Sequence, residues 1–188
     1  IGPVWDGNEV WLVTAGGALF AAFPEMYATA FSGFYLAFML LLFALIFRAV
    51  AIEFRSKRPA AAWRGTWDVL FFVSSLVGAL LVGVALGNFA WGLPLKDLNG
   101  KIEYMGSFWS LLHPYPVLVG ITGVALFMMH GALYVVLKTE GDLQEQARGW
   151  AQNATIFFVI TYVMTTMATL LSVDRMTAQF KHNPVLFI

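Results

Sequence analysis

Between Phe34 and Phe47 the chain carries no charged residue, inside a longer apolar run from about Met26 to Phe54. A helix needs about 20 such residues to cross the roughly 30 Å hydrocarbon layer of a bilayer. Runs of this kind recur along the sequence as long blocks, not as amphipathic stripes, and that pattern marks an integral membrane protein. Composition agrees. Of 188 residues, 60% are hydrophobic and 12% charged, and a soluble domain normally carries about twice that charged fraction. The mean hydropathy is +0.74.

Five helical spans are expected, making an all-α, polytopic transmembrane bundle in a single domain over 1–188. The first runs from about Gly7 to Phe23 and stops at Pro24, with Glu25 just beyond. The second covers about 26–54, the third 67–91, the fourth 117–137 and the fifth 151–172. Ile1 is not a methionine, and the closing Asn183-Pro184-Val185-Leu186-Phe187-Ile188 resembles the start of another apolar run. A fragment of a larger membrane protein is therefore expected.

Charge places the loops. Arg55, Lys57, Arg58 and Arg64 crowd the connection after the second span, whereas Lys96, Asp97, Lys101 and Glu103 balance one another after the third. By the positive-inside rule the first of these loops faces the cytoplasm. Alternation then puts 138–148 inside, and 92–113 and the C-terminal end outside, with six Lys and Arg inside against four outside. A net charge of zero offers no basic face for nucleic acid. Without cysteine, disulfides, thiolate-bound zinc and iron–sulfur clusters are excluded.

The acids at the entrance to the first helix need a reason to be there. Asp6 and Glu9 are three residues apart, so a helix puts them on one face. Arg48 lies about two turns, or ~9 Å, inside the end of its helix on the same expected side. A cation at that depth requires a carboxylate or a path for its head group to the interface. A cytoplasm-side cluster of Asp6, Glu9 and Arg48 is one reading. The other is that Arg48 snorkels while Asp6 caps its helix.

Other polar positions have structural readings first. Ala79, Gly83 and Gly87 form a small-residue ridge that admits a neighbouring helix. Thr161, Thr165 and Thr169 form a stripe whose hydroxyls usually bond back one turn and sometimes cross to a neighbour. Asp68, one turn after Arg64, can pair locally at a helix start. His130 beside Met128 and Met129 invites an axial haem-ligand reading, but no second His shares its depth. A hydrogen-bonded packing role, or a place in a proton relay, suits it better.

Trp5-Asp6-Gly7-Asn8-Glu9-Val10-Trp11-Leu12, followed by Thr14-Ala15-Gly16-Gly17-Ala18-Leu19-Phe20-Ala21-Ala22-Phe23-Pro24, resembles the signature of subunit II of cytochrome bd-type quinol oxidases. The likeness continues through Phe31-Ser32-Gly33-Phe34-Tyr35, Phe47-Arg48, Trp67-Asp68, Gly83-Val84-Ala85-Leu86-Gly87-Asn88 and His130-Gly131-Ala132-Leu133-Tyr134. It covers nearly the whole chain, and a fixed string of two Trp, Asp, Asn and Glu is specific.

The resemblance implies a complex of the bacterial inner membrane that oxidises ubiquinol or menaquinol and reduces dioxygen to water. Two b-type haems, one d-type haem and the quinol site belong to subunit I. Subunit II binds no haem, packs on that partner, and contributes to a proton route from the cytoplasm. The resemblance puts Asp6 in that route and matches Arg48 to a polar intramembrane position. Asp6, Glu9 and Arg48, with Trp5 and Asn8 beside them, are therefore the candidate proton-pathway residues. The family's first helix and the second half of its subunit II have no counterpart in this chain. A proton- or ion-coupled transporter using Asp6 and Arg48, hinted at by the break at Pro24, is the alternative.

Overall fold

A computed structural model describes residues 4–98, 101–174, 176 and 178. Six α-helices and one β-hairpin are present among them: α1 (Trp5–Ala22), α2 (Pro24–Gly33), α3 (Tyr35–Phe54), α4 (Ala61–Trp91), β1 (Leu95–Leu98), β2 (Lys101–Tyr104), α5 (Pro114–Lys138) and α6 (Asp142–Ser172). Four helical segments are long and apolar enough to cross a membrane: Tyr35–Lys57, Ala61–Trp91, Pro114–Lys138 and Asp142–Ser172. The chain is a helical, multi-pass membrane protein.

Two of the expected spans differ in detail. The first forms as α1, but Asp6, Asn8 and Glu9 in its opening turns leave it less apolar than the other four. The second is two helices. They meet at Phe34, which is buried and whose amide still donates to the Ala30 carbonyl at 2.9 Å. The division between α1 and α2 follows from Pro24, which has no amide hydrogen and begins the new helix at its first position. A staircase of rings joins the three helices. Phe20 meets Tyr27 edge-on, and Tyr27, Phe31 and Phe38 stack in turn with centroids 4.2 and 4.3 Å apart.

The packing divides into two compact units, one within Ile1–Val77 and Leu93–Phe108, the other within Gly78–Gly92 and Trp109–Ile188. In the first, the 92–113 connection is not the plain loop expected from its charges. It carries the antiparallel hairpin, with Lys96 opposite Glu103 and Asp97 opposite Ile102. Opposite charges across a ladder favour that register. The hairpin seats on α2. The Thr29 hydroxyl donates to the Ile102 carbonyl at 3.1 Å, and a side chain at Gly33 would collide with the Tyr104 ring at 2.8 Å.

In the second unit α5 and α6 form the main helix pair. The ridge on α4 behaves as its small residues suggest. A Cβ on Gly83 would fall 2.6 Å from the Gly120 Cα of α5, and one on Gly87 would fall 2.6 Å from the Pro116 Cα. Asn88, buried beside this contact, donates to the Val84 carbonyl at 2.9 Å and the Leu111 carbonyl at 2.8 Å. The threonine stripe does both things its type allows. Thr161 and Thr169 bond back along α6, while Thr165 meets the Thr122 hydroxyl at 2.7 Å and Thr169 meets the Tyr115 hydroxyl at 3.0 Å.

The buried set is dominated by small residues such as Ala30, Ala44, Ala51, Ala125, Ala147 and Ala154, while Leu137 and Leu171 are about four-fifths exposed. This inverts a soluble core. Small residues let helix backbones approach in lipid, and large apolar side chains face outward to acyl chains or to other protein.

Candidate functional site

The first unit brings one carboxylate to the intramembrane arginine. Glu9 sits in the second turn of α1 and Arg48 two turns before the end of α3, and Arg48 Nη1 donates to Glu9 Oε1 at 3.3 Å. Both side chains are largely covered, with relative exposures of 20% for Glu9 and 32% for Arg48. The guanidinium also lies 5.9 Å from the centre of the Phe71 ring on α4. The cation thus has a carboxylate on one side and an aromatic face on another.

Asp6 stands apart from this pair. It occupies the first turn of α1, exposed, and no ion pair joins it to Arg48 among the described residues. Its side chain makes no capping bond either; the residue at the cap is Val4. The charge of Asp6 still lies where the helix dipole favours an anion. Asn8 is exposed and Trp5 half-exposed. Of the five sequence-predicted residues, Glu9 and Arg48 are the two joined by a side-chain hydrogen bond and ion pair among the described residues.

Among the described residues, three side-chain polar atoms of the first unit are buried without a hydrogen-bond partner in the protein: Arg48 Nε, Trp67 Nε1 and Ser75 Oγ. Trp67, Phe71 and Ser75 fall at four-residue intervals on α4, hence on one stripe. In the sequence Trp67 stands out only within the family-like pair Trp67-Asp68, and Ser75 does not stand out at all. Only their burial reveals them, and single-sequence patterning carries no signal for it.

Asp68 pairs differently from the local expectation. Its partner is Arg55, not Arg64: Arg55 Nε reaches Oδ1 at 2.5 Å and Nη2 reaches Oδ2 at 3.1 Å. The chain reverses through the short turn at Arg55–Lys57, bringing the two together in a forked geometry that arginine suits. The Trp63 indole donates to the Phe54 carbonyl at 2.9 Å, and Arg58 lies over the Trp63 ring. This exposed cluster closes the basic loop.

His130 is exposed on α5, and His113 precedes the same helix, stacked near Trp91. Seventeen residues of helix separate them by about 25 Å. They cannot ligate one iron from opposite sides. Among the described residues no three His, Cys, Asp or Glu side chains gather as a metal site.

The fold and this site define a class: a multi-pass helical membrane protein with an ion pair held between two helices near their ends. Residues 1–188 match the family model of cytochrome bd terminal oxidase subunit II, and the chain belongs to that family. It is 42% identical over 175 residues to cytochrome bd-I ubiquinol oxidase subunit 2 of Escherichia coli, an alignment covering 93% of this chain and 46% of that protein. It is 43% identical over 153 residues to cytochrome bd ubiquinol oxidase subunit 2 of Bacillus subtilis, covering 81% of this chain and 44% of that one. The chain thus spans less than half the length of these curated relatives.

Proposed function

We propose that this chain is part of the haem-free subunit of a cytochrome bd-type quinol oxidase. It packs on a haem-bearing subunit in the bacterial inner membrane and supplies a proton entry from the cytoplasmic side. The observation that carries this reading is the Glu9–Arg48 pair, half-buried at the end of two helices, with Asp6 exposed three residues nearer the helix start. An exposed carboxylate can exchange protons with water. Glu9, one turn deeper, is the next acid on the same helical face, and Arg48 fixes its position and balances its charge. Arg48 lies level with Phe71, and one turn further along α4 from the basic loop the hydroxyl of Ser75 is a buried polar group able to continue a path into the membrane, while Trp67 lies one turn back toward that loop.

The haems supply oxygen reduction when the complex is assembled. Reducing oxygen in a low-dielectric site accumulates negative charge that arriving protons neutralise. Family membership lends the transporter alternative no support.

The test is Asp6→Asn in the complete oxidase. Slower quinol-dependent oxygen consumption with an unchanged haem spectrum is expected. Undiminished turnover across the pH range would remove Asp6 from the route, and loss of the whole complex would make its role structural.

A further inference from the structure

The second unit carries a groove between α5 and α6 that the proton-entry reading does not use. Its volume is about 540 Å³, and its lining is mostly apolar: Leu133 and Val136 from α5, Ala151 and Ile156 from α6, with Arg148, Gln152 and Thr155 as the polar members. Arg148, Ala151, Gln152 and Ile156 recur at helical spacing, so the groove follows one face of α6. The Thr155 hydroxyl in its wall is already bonded to the Ala151 carbonyl.

The depth of Arg148 identifies what the groove takes. No Asp, Glu, Lys or Arg lies between Gly149 and Ser172, a stretch of roughly 36 Å as helix that spans a hydrocarbon layer by itself. Arg148 is the last charged residue before it. On α5, Lys138 closes a run from Pro114 with no such charge. These two cations mark one membrane–water boundary, and the exposed Trp150 lies at the same level. Gln144 ties the start of α6 to the Val136 carbonyl at 3.1 Å, which fixes the groove's upper end. Arg148 is exposed and makes no ion pair among the described residues; Glu145, one turn toward the water, is also exposed. Lys138 is turned toward the Tyr134 ring.

From an unpaired guanidinium at headgroup level, and an apolar channel descending from it, we infer that this groove binds an anionic phospholipid. The phosphate engages Arg148, the Gln152 amide hydrogen-bonds the glycerol-ester region, and an acyl chain lies against Leu133, Val136 and Ile156. A basic residue at a cleft between membrane helices has the chemistry to select anionic over zwitterionic headgroups.

The experiment uses the complete detergent-purified oxidase, exchanged into vesicles of phosphatidylglycerol or phosphatidylcholine and examined by native mass spectrometry. The intact complex should retain phosphatidylglycerol in preference to phosphatidylcholine. Arg148→Gln should reduce that preference about fivefold, while Arg148→Lys should largely keep it. Leu133→Trp, which fills the groove, should reduce retention of both lipids. Equal preference in the intact complex and Arg148→Gln overturns the inference. So does a quinone retained in place of phospholipid and lost in Leu133→Trp, or protection of Arg148 by another subunit with no lipid bound.

Discussion

Glu9 on α1 meets Arg48 on α3 across 39 residues of sequence, with Oε1 and Nη1 3.3 Å apart. The pair is neither fully solvated nor fully enclosed. Its strength therefore lies between that of a surface salt bridge and a buried one, and its loss is felt unequally by the two partners.

A double-mutant cycle measures that strength. Glu9→Gln and Arg48→Gln should each lower the thermal midpoint of the purified complex. The double variant should lose less than the sum, with a coupling of about 1–2 kcal/mol. Strict additivity would mean that the two side chains do not interact in the assembled protein.

Asp6 and Glu9 should separate by function. Asp6 is exposed and without an ion-pair partner among the described residues, so Asp6→Asn should leave the thermal midpoint nearly unchanged while oxygen consumption falls. Glu9→Gln should lower both, because it strands the Arg48 charge. Parallel oxygen-electrode and melting measurements distinguish the two patterns.

Close helix contact on α4 makes a second pair of predictions. Gly83→Ala places a methyl 2.6 Å from the Gly120 backbone and should cost about 1–3 kcal/mol through forced separation of α4 and α5. Gly149→Ala on α6 meets nothing within 4 Å and should be neutral or stabilising by up to about 1 kcal/mol. Equal melting temperatures for the two variants would contradict the close approach.

Ser75 offers a test of an orphaned hydroxyl. With no partner in the protein, Ser75→Ala removes a polar group whose burial is itself unfavourable by about 1–3 kcal/mol. The thermal midpoint should hold or rise. A fall would reveal that the hydroxyl has a partner in the assembled membrane complex.

Much of the architecture is legible from local composition. Charge-free apolar blocks are a property of contiguous residues, and a bilayer imposes one solution on them because every backbone polar group must be satisfied within its own helix. Pro24 ending α1 and the small-residue ridge at Gly83 and Gly87 are readable for the same reason. The site is legible in its members, since acids and an arginine near apolar helices stand out against their surroundings.

Pairing is a different matter. That Arg48 takes Glu9 and leaves Asp6 exposed, that Asp68 takes Arg55 over the nearer Arg64, and that a hairpin seats on α2 through Thr29 and Tyr104 all depend on how separate elements register. By itself the sequence determined a multi-pass helical membrane protein and the residues able to carry charge within it. Only the tertiary structure decided which of them touch, because rotation and offset between helices are set by packing over many residues, not by the spacing of any few.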